Sequence, residues 1–119
     1  MVGVGISLSA YAAPKWMEIA RNGNGSIFYV DAAYAISQAD GTGWGKVELK
    51  KPMLVDGKQA TSMVSKIQAD CSDRTFQRVD NLFYDKKGMN IGRTSSPGVF
   101  NAAPGSIDEK MVDLICRYN

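Results

Sequence analysis

Polar and apolar residues alternate with a period of two along much of this chain, and turn-forming residues cut the alternation at short intervals. Successive side chains of a β-strand point to opposite faces, so this period marks a strand with one buried and one wet side. It is cleanest over 46–51, where Val47 and Leu49 point one way and Lys46, Glu48 and Lys50 the other. It recurs over 62–70. There Met63, Ile67 and Ala69, continued by Cys71, share one face with Ser65, while Lys66, Gln68 and Asp70 share the other with Val64. Residues 15–20, with Trp16 and Ile19, then Ile27–Asp31, Thr75–Tyr84 and 89–94 bring the expected strands to six. Pro52 is expected to end its strand, because proline cannot donate to a ladder.

The interruptions are Asn22-Gly23-Asn24-Gly25, Asp40-Gly41-Thr42-Gly43, Asp56-Gly57, Cys71-Ser72-Asp73 and Asp85-Lys86-Lys87-Gly88. All supply residues that tolerate positive φ or hydrogen-bond their own backbone. Joins this short make neighbouring strands antiparallel, and the last three strands form a meander. Ser96-Pro97-Gly98 and Pro104-Gly105 are expected to break the strand pattern. The period then changes to a helical one, with Ile107, Met111, Leu114, Ile115 and Tyr118 on one stripe and Val112 and Cys116 at its edge. Ser106 and Glu109 have the spacing of a capping box, and Asp108 puts negative charge where the helix dipole favours it. The pattern predicts an α+β fold: an antiparallel sheet of about six strands with one C-terminal helix of about three turns packed on it. There is no repeat, low-complexity tract or internal linker.

Composition narrows the class. A chain of 119 residues, 45% hydrophobic and 22% charged, is one globular domain with a thin core. The net charge of +2 is too small to point to nucleic acid or an anionic membrane, which need concentrated positive charge. Lys50-Lys51 and Lys86-Lys87, the adjacent basic pairs, read as solvated turn and strand-face charges. Residues 1–13 are small and apolar, with Ala10-Tyr11-Ala12 as a cleavage candidate ahead of Ala13-Pro14. They read as the remnant of an export signal, leaving 14–119 as a single mature domain. No basic residue precedes Lys15, so Met1 reads as an internal start within a longer precursor; a buried N-terminal strand is the alternative. The run is too short and glycine-rich to span a bilayer, and no cysteine follows the cleavage candidate to carry a lipid.

Export gives the cysteines their meaning. Cys71 and Cys116 have one possible intramolecular pairing, a disulfide tying the terminal helix to the middle of the chain. Two buried free thiols are the alternative. Catalytic equipment is sparse. There is no histidine, which removes the commonest general base and the commonest zinc ligand. There is no CxxC motif either. Asp31, Asp40 and Asp56 could form a glycosidase-like pair in principle, but they sit at turns and strand ends. Gly41-Thr42-Gly43-Trp44-Gly45-Lys46 lacks phosphate-loop spacing and reads as a flexible turn. Neither cofactor nor metal is expected. The remaining candidates are aromatic. Trp44 shares strand parity with Lys46, Glu48 and Lys50, so these four are the candidate binding residues of a wet face. Alternatively, Trp44 tucks over the sheet edge as partial core. Trp16, Phe28, Val30 and Phe83 are expected in the core.

Trp16-Met17-Glu18-Ile19-Ala20, Ile27–Asp31, Ile67-Gln68-Ala69-Asp70-Cys71, Phe83-Tyr84-Asp85-Lys86-Lys87-Gly88, Ala103-Pro104-Gly105-Ser106 and Leu114-Ile115-Cys116, in this order, resemble the surface-adhesin protein E family. The likeness implies export by a Gram-negative bacterium, to the periplasm or cell surface. It also implies an antiparallel sheet with a disulfide-joined C-terminal helix. The founding adhesin of that family binds host matrix and serum proteins such as vitronectin and laminin and can dimerise. The resemblance thus implies a non-enzymatic envelope binding module with a protein ligand and a capacity to pair as a homodimer. Two rivals remain: a periplasmic inhibitor or accessory subunit using a loop over 52–61, and an enzyme built on carboxylates.

Overall fold

The computed structural model describes residues 14–117, with the backbone alone described at 96 and 97. The export-signal reading of 1–13 and the helical place of Tyr118 lie outside the described residues. Among the described residues eight elements follow one another: β1 (Trp16–Arg21), β2 (Ile27–Asp31), α1 (Ala32–Gln38), β3 (Thr42–Val55), β4 (Lys58–Asp70), β5 (Thr75–Tyr84), β6 (Asn90–Asn101) and α2 (Ile107–Cys116). The six strands form one sheet in chain order, each antiparallel to the next. This is the α+β architecture that the alternation predicts, since every strand join is a turn or the short α1 segment.

Several boundaries differ from expectation, each for a local reason. Pro52 does not end β3. Between Glu48, opposite Ser62, and Met53, opposite Ala60, four residues of β3 face one of β4, and this bulge absorbs the proline. Residues 52–61 are therefore a paired hairpin rather than a loop. Pro97 and Gly98 likewise fall in a bulge of β6, where Ser96 pairs with Arg78 and Phe100 with Phe76, and the strand runs on to Asn101. The glycine-rich run from Gly41 is not a flexible turn, because β3 begins at Thr42. Helix α1 has no counterpart in the alternation. Asp31 starts it, its carboxylate accepting from the Tyr34 N–H at 3.1 Å, and Ala39 ends it at φ 50°.

The core lies between one sheet face and α2. Val30, Ile67, Ala69, Phe76, Met111, Leu114 and Ile115 are buried there together. Val112 is 0% exposed, so it belongs to the centre of the helical stripe rather than its edge. Gly43 lets the helix approach, since a Cβ there would lie 2.7 Å from Ile115 Cδ1. The Ser106 hydroxyl accepts from the Glu109 N–H at 3.1 Å, while the Glu109 carboxylate accepts from Gly105, one residue before the expected partner. Arg78 pairs with Asp108 at 3.3 Å and Arg74 pairs with Asp113, so β5 and its leading turn hold the helix along its length.

The disulfide joins Cys71, just past β4, to Cys116, the last residue of α2, across a Cα–Cα distance of 5.7 Å. No free cysteine remains. Closing a loop of 45 residues stabilises by about 4 kcal/mol in the chain-entropy model. That is a large share of the roughly 5–10 kcal/mol a domain of this size holds in total.

Candidate functional site

Among the described residues α2 packs on the first sheet face only, and the strand register decides what the second face displays. Tyr29 stands opposite Lys46, Lys46 opposite Val64, and Val64 opposite Leu82, giving one row across four strands. A parallel row holds Trp44 opposite Lys66, and beyond it Asp80. Tyr84 lies two residues past Leu82 on the same face. Residues one position away point to the core, which is why Phe28 and Phe83 alternate with Tyr29 and Tyr84.

The outcome is a segregation of aromatic types. Both tryptophans, Trp16 and Trp44, and every described tyrosine, Tyr29, Tyr34 and Tyr84, are half-buried on or beside the open face. All four phenylalanines belong to the other: Phe76 and Phe83 are buried, Phe100 packs on Phe76 at 5.8 Å, and Phe28 lies against the slot below α2. Phenylalanine has no polar atom to leave dry in a core, whereas tryptophan and tyrosine combine an apolar body with a polar tip suited to a wet, adhesive surface.

Trp16, Asp31, Tyr34, Trp44, Val64, Leu82 and Tyr84 are among the residues that line a groove of about 380 Å³. Tyr34 of α1 stands edge-on to Trp44, with centroids 6.4 Å apart and planes at 81°. The helix missed by sequence reading thus forms one wall of the groove. The indole N–H groups of Trp16 and Trp44 and the hydroxyls of Tyr34 and Tyr84 hydrogen-bond to no described residue, so they are open to a ligand. Below the groove, the Lys46 ammonium lies 5.8 Å from the ring centroids of both Trp16 and Tyr29 and 3.5 Å from Glu48 Oε2. The Tyr29 hydroxyl donates to Glu48 Oε1 at 2.8 Å. Through that hydrogen bond first, and partial burial second, Glu48 holds the Tyr29 phenol above its ordinary pKa.

Of the four residues proposed from strand parity, the structure brings together Trp44, Lys46 and Glu48. Lys50 does not join them. It lies past the point where the β3 register breaks, its N–H donating to Ser26 Oγ at 3.2 Å and its stem running beside Gly25. Trp44 satisfies parts of both sequence readings, being on the wet face yet half-covered by Tyr34. Trp16, expected in the core, is on the groove instead: it pairs with Asp31, two residues from Tyr29 and so on the same open face, while Ile19, an odd number of positions away, packs on the core. Sequence reasoning missed Tyr29, Tyr34 and Tyr84. The Phe28-Tyr29 and Phe83-Tyr84 pairs carried the signal, since adjacent strand positions must face opposite ways.

The carboxylates considered for catalysis do structural work. Asp31 accepts from the N–H groups of Tyr34 and Lys15, at 3.1 and 3.2 Å. Asp40 accepts from the Thr42 N–H at 2.9 Å, and the Thr42 side chain and backbone together lower its pKa. Asp56 turns the β3–β4 hairpin at φ 50°. Among the described residues no cluster of three acidic or sulfur ligands could hold a metal. No helix among them is long and apolar enough to cross a membrane.

A family model described as surface-adhesin protein E matches residues 16–117. Three solved structures of Haemophilus influenzae protein E have a similar fold, each 18% identical and covering 89% of this chain. Crystal form II gives a TM-score of 0.67 over 94% of that chain. Another structure gives 0.61 over 91%, and one from a non-typeable strain 0.56 over 82%. No curated protein sequence matches.

Proposed function

Because the chain belongs to the surface-adhesin protein E family, matched over residues 16–117, we propose that it is an exported, non-enzymatic binding module of the bacterial envelope whose ligand is a protein. The observation that carries this reading is the gathering of both tryptophans and three tyrosines on or beside the sheet face away from α2. Tryptophan and tyrosine dominate the hot spots of protein interfaces, because a rigid ring buries much area at low entropic cost. Charge on the face is balanced: Lys46 neutralises Glu48, and Arg93 pairs with Asp80. A polyanion finds no field there, while a protein segment with apolar anchors and backbone carbonyls finds rings and free donors. Host matrix and serum proteins are the ligand class, and the periplasm or cell surface the location.

The test is binding of immobilised protein to such ligands, with Trp44→Ala and Trp16→Ala as probes. Each substitution is expected to weaken binding about 30-fold, the effect of losing a hot spot worth about 2 kcal/mol. Undiminished binding by both folded variants would move the ligand off this face. Failure of the native protein to retain any matrix or serum protein would remove the function.

A further inference from the structure

The chain's weak net charge hides a concentration that only the fold creates. Ser62 of β4 pairs with Tyr84, the last residue of β5, so the outer arm of the β3–β4 hairpin reaches past the end of β5. The β5–β6 turn lies alongside it, with Lys86 and Lys87 lining the same small cleft as Gln59 and Thr61. The hairpin also bends toward β6, where a Cβ on Gly92 would meet Val55 Cγ1 at 2.7 Å. Lys50, Lys51, Lys58, Lys86 and Lys87 therefore crowd one end of the molecule, and all five are exposed. Against them stand Asp56 and Asp85. This end carries +3, leaving −1 for the remainder of a chain whose total is +2.

Two further facts bear on these lysines. None makes an ion pair among the described residues, which they share with the scattered Lys15, Lys66, Lys110 and Arg117, whereas Arg21, Lys46, Arg74, Arg78 and Arg93 are each paired. The Asp85 carboxylate is already engaged, accepting from the N–H groups of Lys87 and Met89 at 2.9 Å each. Among the lysines stand apolar side chains with no cover: Leu54 is 71% exposed, Met89 63% and Met53 40%. A soluble polyanion would satisfy the ammonium groups and leave these side chains wet. A lipid surface takes both at once, the lysines at the phosphate layer and the apolar tips at the acyl boundary.

We propose that the far end of the β3–β4 hairpin, together with the β5–β6 turn, is a docking surface for anionic lipid membrane. It is separate from the aromatic groove, so either assignment can fail alone.

The experiment is co-sedimentation of the full chain with vesicles of phosphatidylcholine, with and without phosphatidylglycerol. Binding is expected only to the anionic vesicles and is expected to weaken as salt rises. Removing two charges in Lys51→Gln/Lys87→Gln should weaken it roughly 25-fold, about fivefold per lysine. Leu54→Ser should weaken it about tenfold, for the loss of one partly inserted side chain. Trp44→Ala should leave it unchanged. Equal binding to both vesicle types, no binding to the anionic ones, or full binding by the double lysine variant would overturn the proposal. So would a loss on Trp44→Ala as large as that of the lysine variant, which would place the lipid on the aromatic face. If Leu54→Ser binds as the native protein does while heparin displaces it, the site serves a soluble polyanion and the lipid assignment falls.

Discussion

Gly43 has no side chain because Ile115 of α2 occupies the space a Cβ would take, only 2.7 Å away. Gly43→Ala is therefore expected to destabilise by about 1–3 kcal/mol in denaturant unfolding, the range for overpacking a tight interior. Trimming the neighbour in Gly43→Ala/Ile115→Val should make the pair less harmful than the sum of the two changes. Ser65 and Asn81 are the polar pair of the covered face, both buried and joined at 2.7 Å. Ser65→Ala removes the hydroxyl that donates to Asn81 Oδ1 and is expected to cost about 1 kcal/mol, the net worth of one hydrogen bond. On the open face, Tyr29 is held above the ordinary tyrosine pKa by its bond to Glu48. The neutral phenol is the favoured form. That contribution is complete below the ordinary value and disappears as pH rises through the raised one. Ring NMR should show Tyr29 titrating at higher pH than a free tyrosine, and Glu48→Ala should bring it down.

At the scale of elements, α2 is positioned by a cap, two ion pairs and a covalent bond. Ser106→Ala removes the acceptor for the Glu109 N–H and should lower stability by about 1 kcal/mol. Reducing Cys71–Cys116 should lower the denaturation midpoint by an amount equivalent to about 4 kcal/mol, with helical signal lost alongside. Unchanged unfolding in reductant would show that packing alone holds the helix. The strands and α2 were legible because each buries one side, and that leaves a period in the sequence. The α1 segment buries only Ala35, so its seven residues leave no such record. The bulges at Pro52 and Pro97 were equally illegible. A proline says only that a ladder bond is missing, and whether the strand ends or merely skips depends on its neighbour.

Across the whole molecule, stability should be uneven. Amides in the middle of β3 and β4, the central strands of the sheet and both packed against α2, are expected to exchange hydrogen slowest. Those of α1 and of the hairpin end near Leu54, which is 71% exposed, should exchange fastest. Uniform protection would contradict the burial pattern. The same unevenness divides the chain's surfaces into an aromatic sheet face and a cationic, apolar end. The alternation of side chains, the turn residues and the cysteine pair determined an antiparallel meander, a terminal helix and the bond between them, since these rest on local geometry and on a single possible pairing. Tertiary structure alone decided which aromatic rings meet and where charge collects. Trp16 and Trp44 share a groove with Tyr84 only through register across five strands, and Lys86 and Lys87 come beside Gln59 and Thr61 only because the hairpin outreaches β5. Contacts between residues so distant along the chain are set by pairing and bulges, and these leave no periodic trace in the sequence.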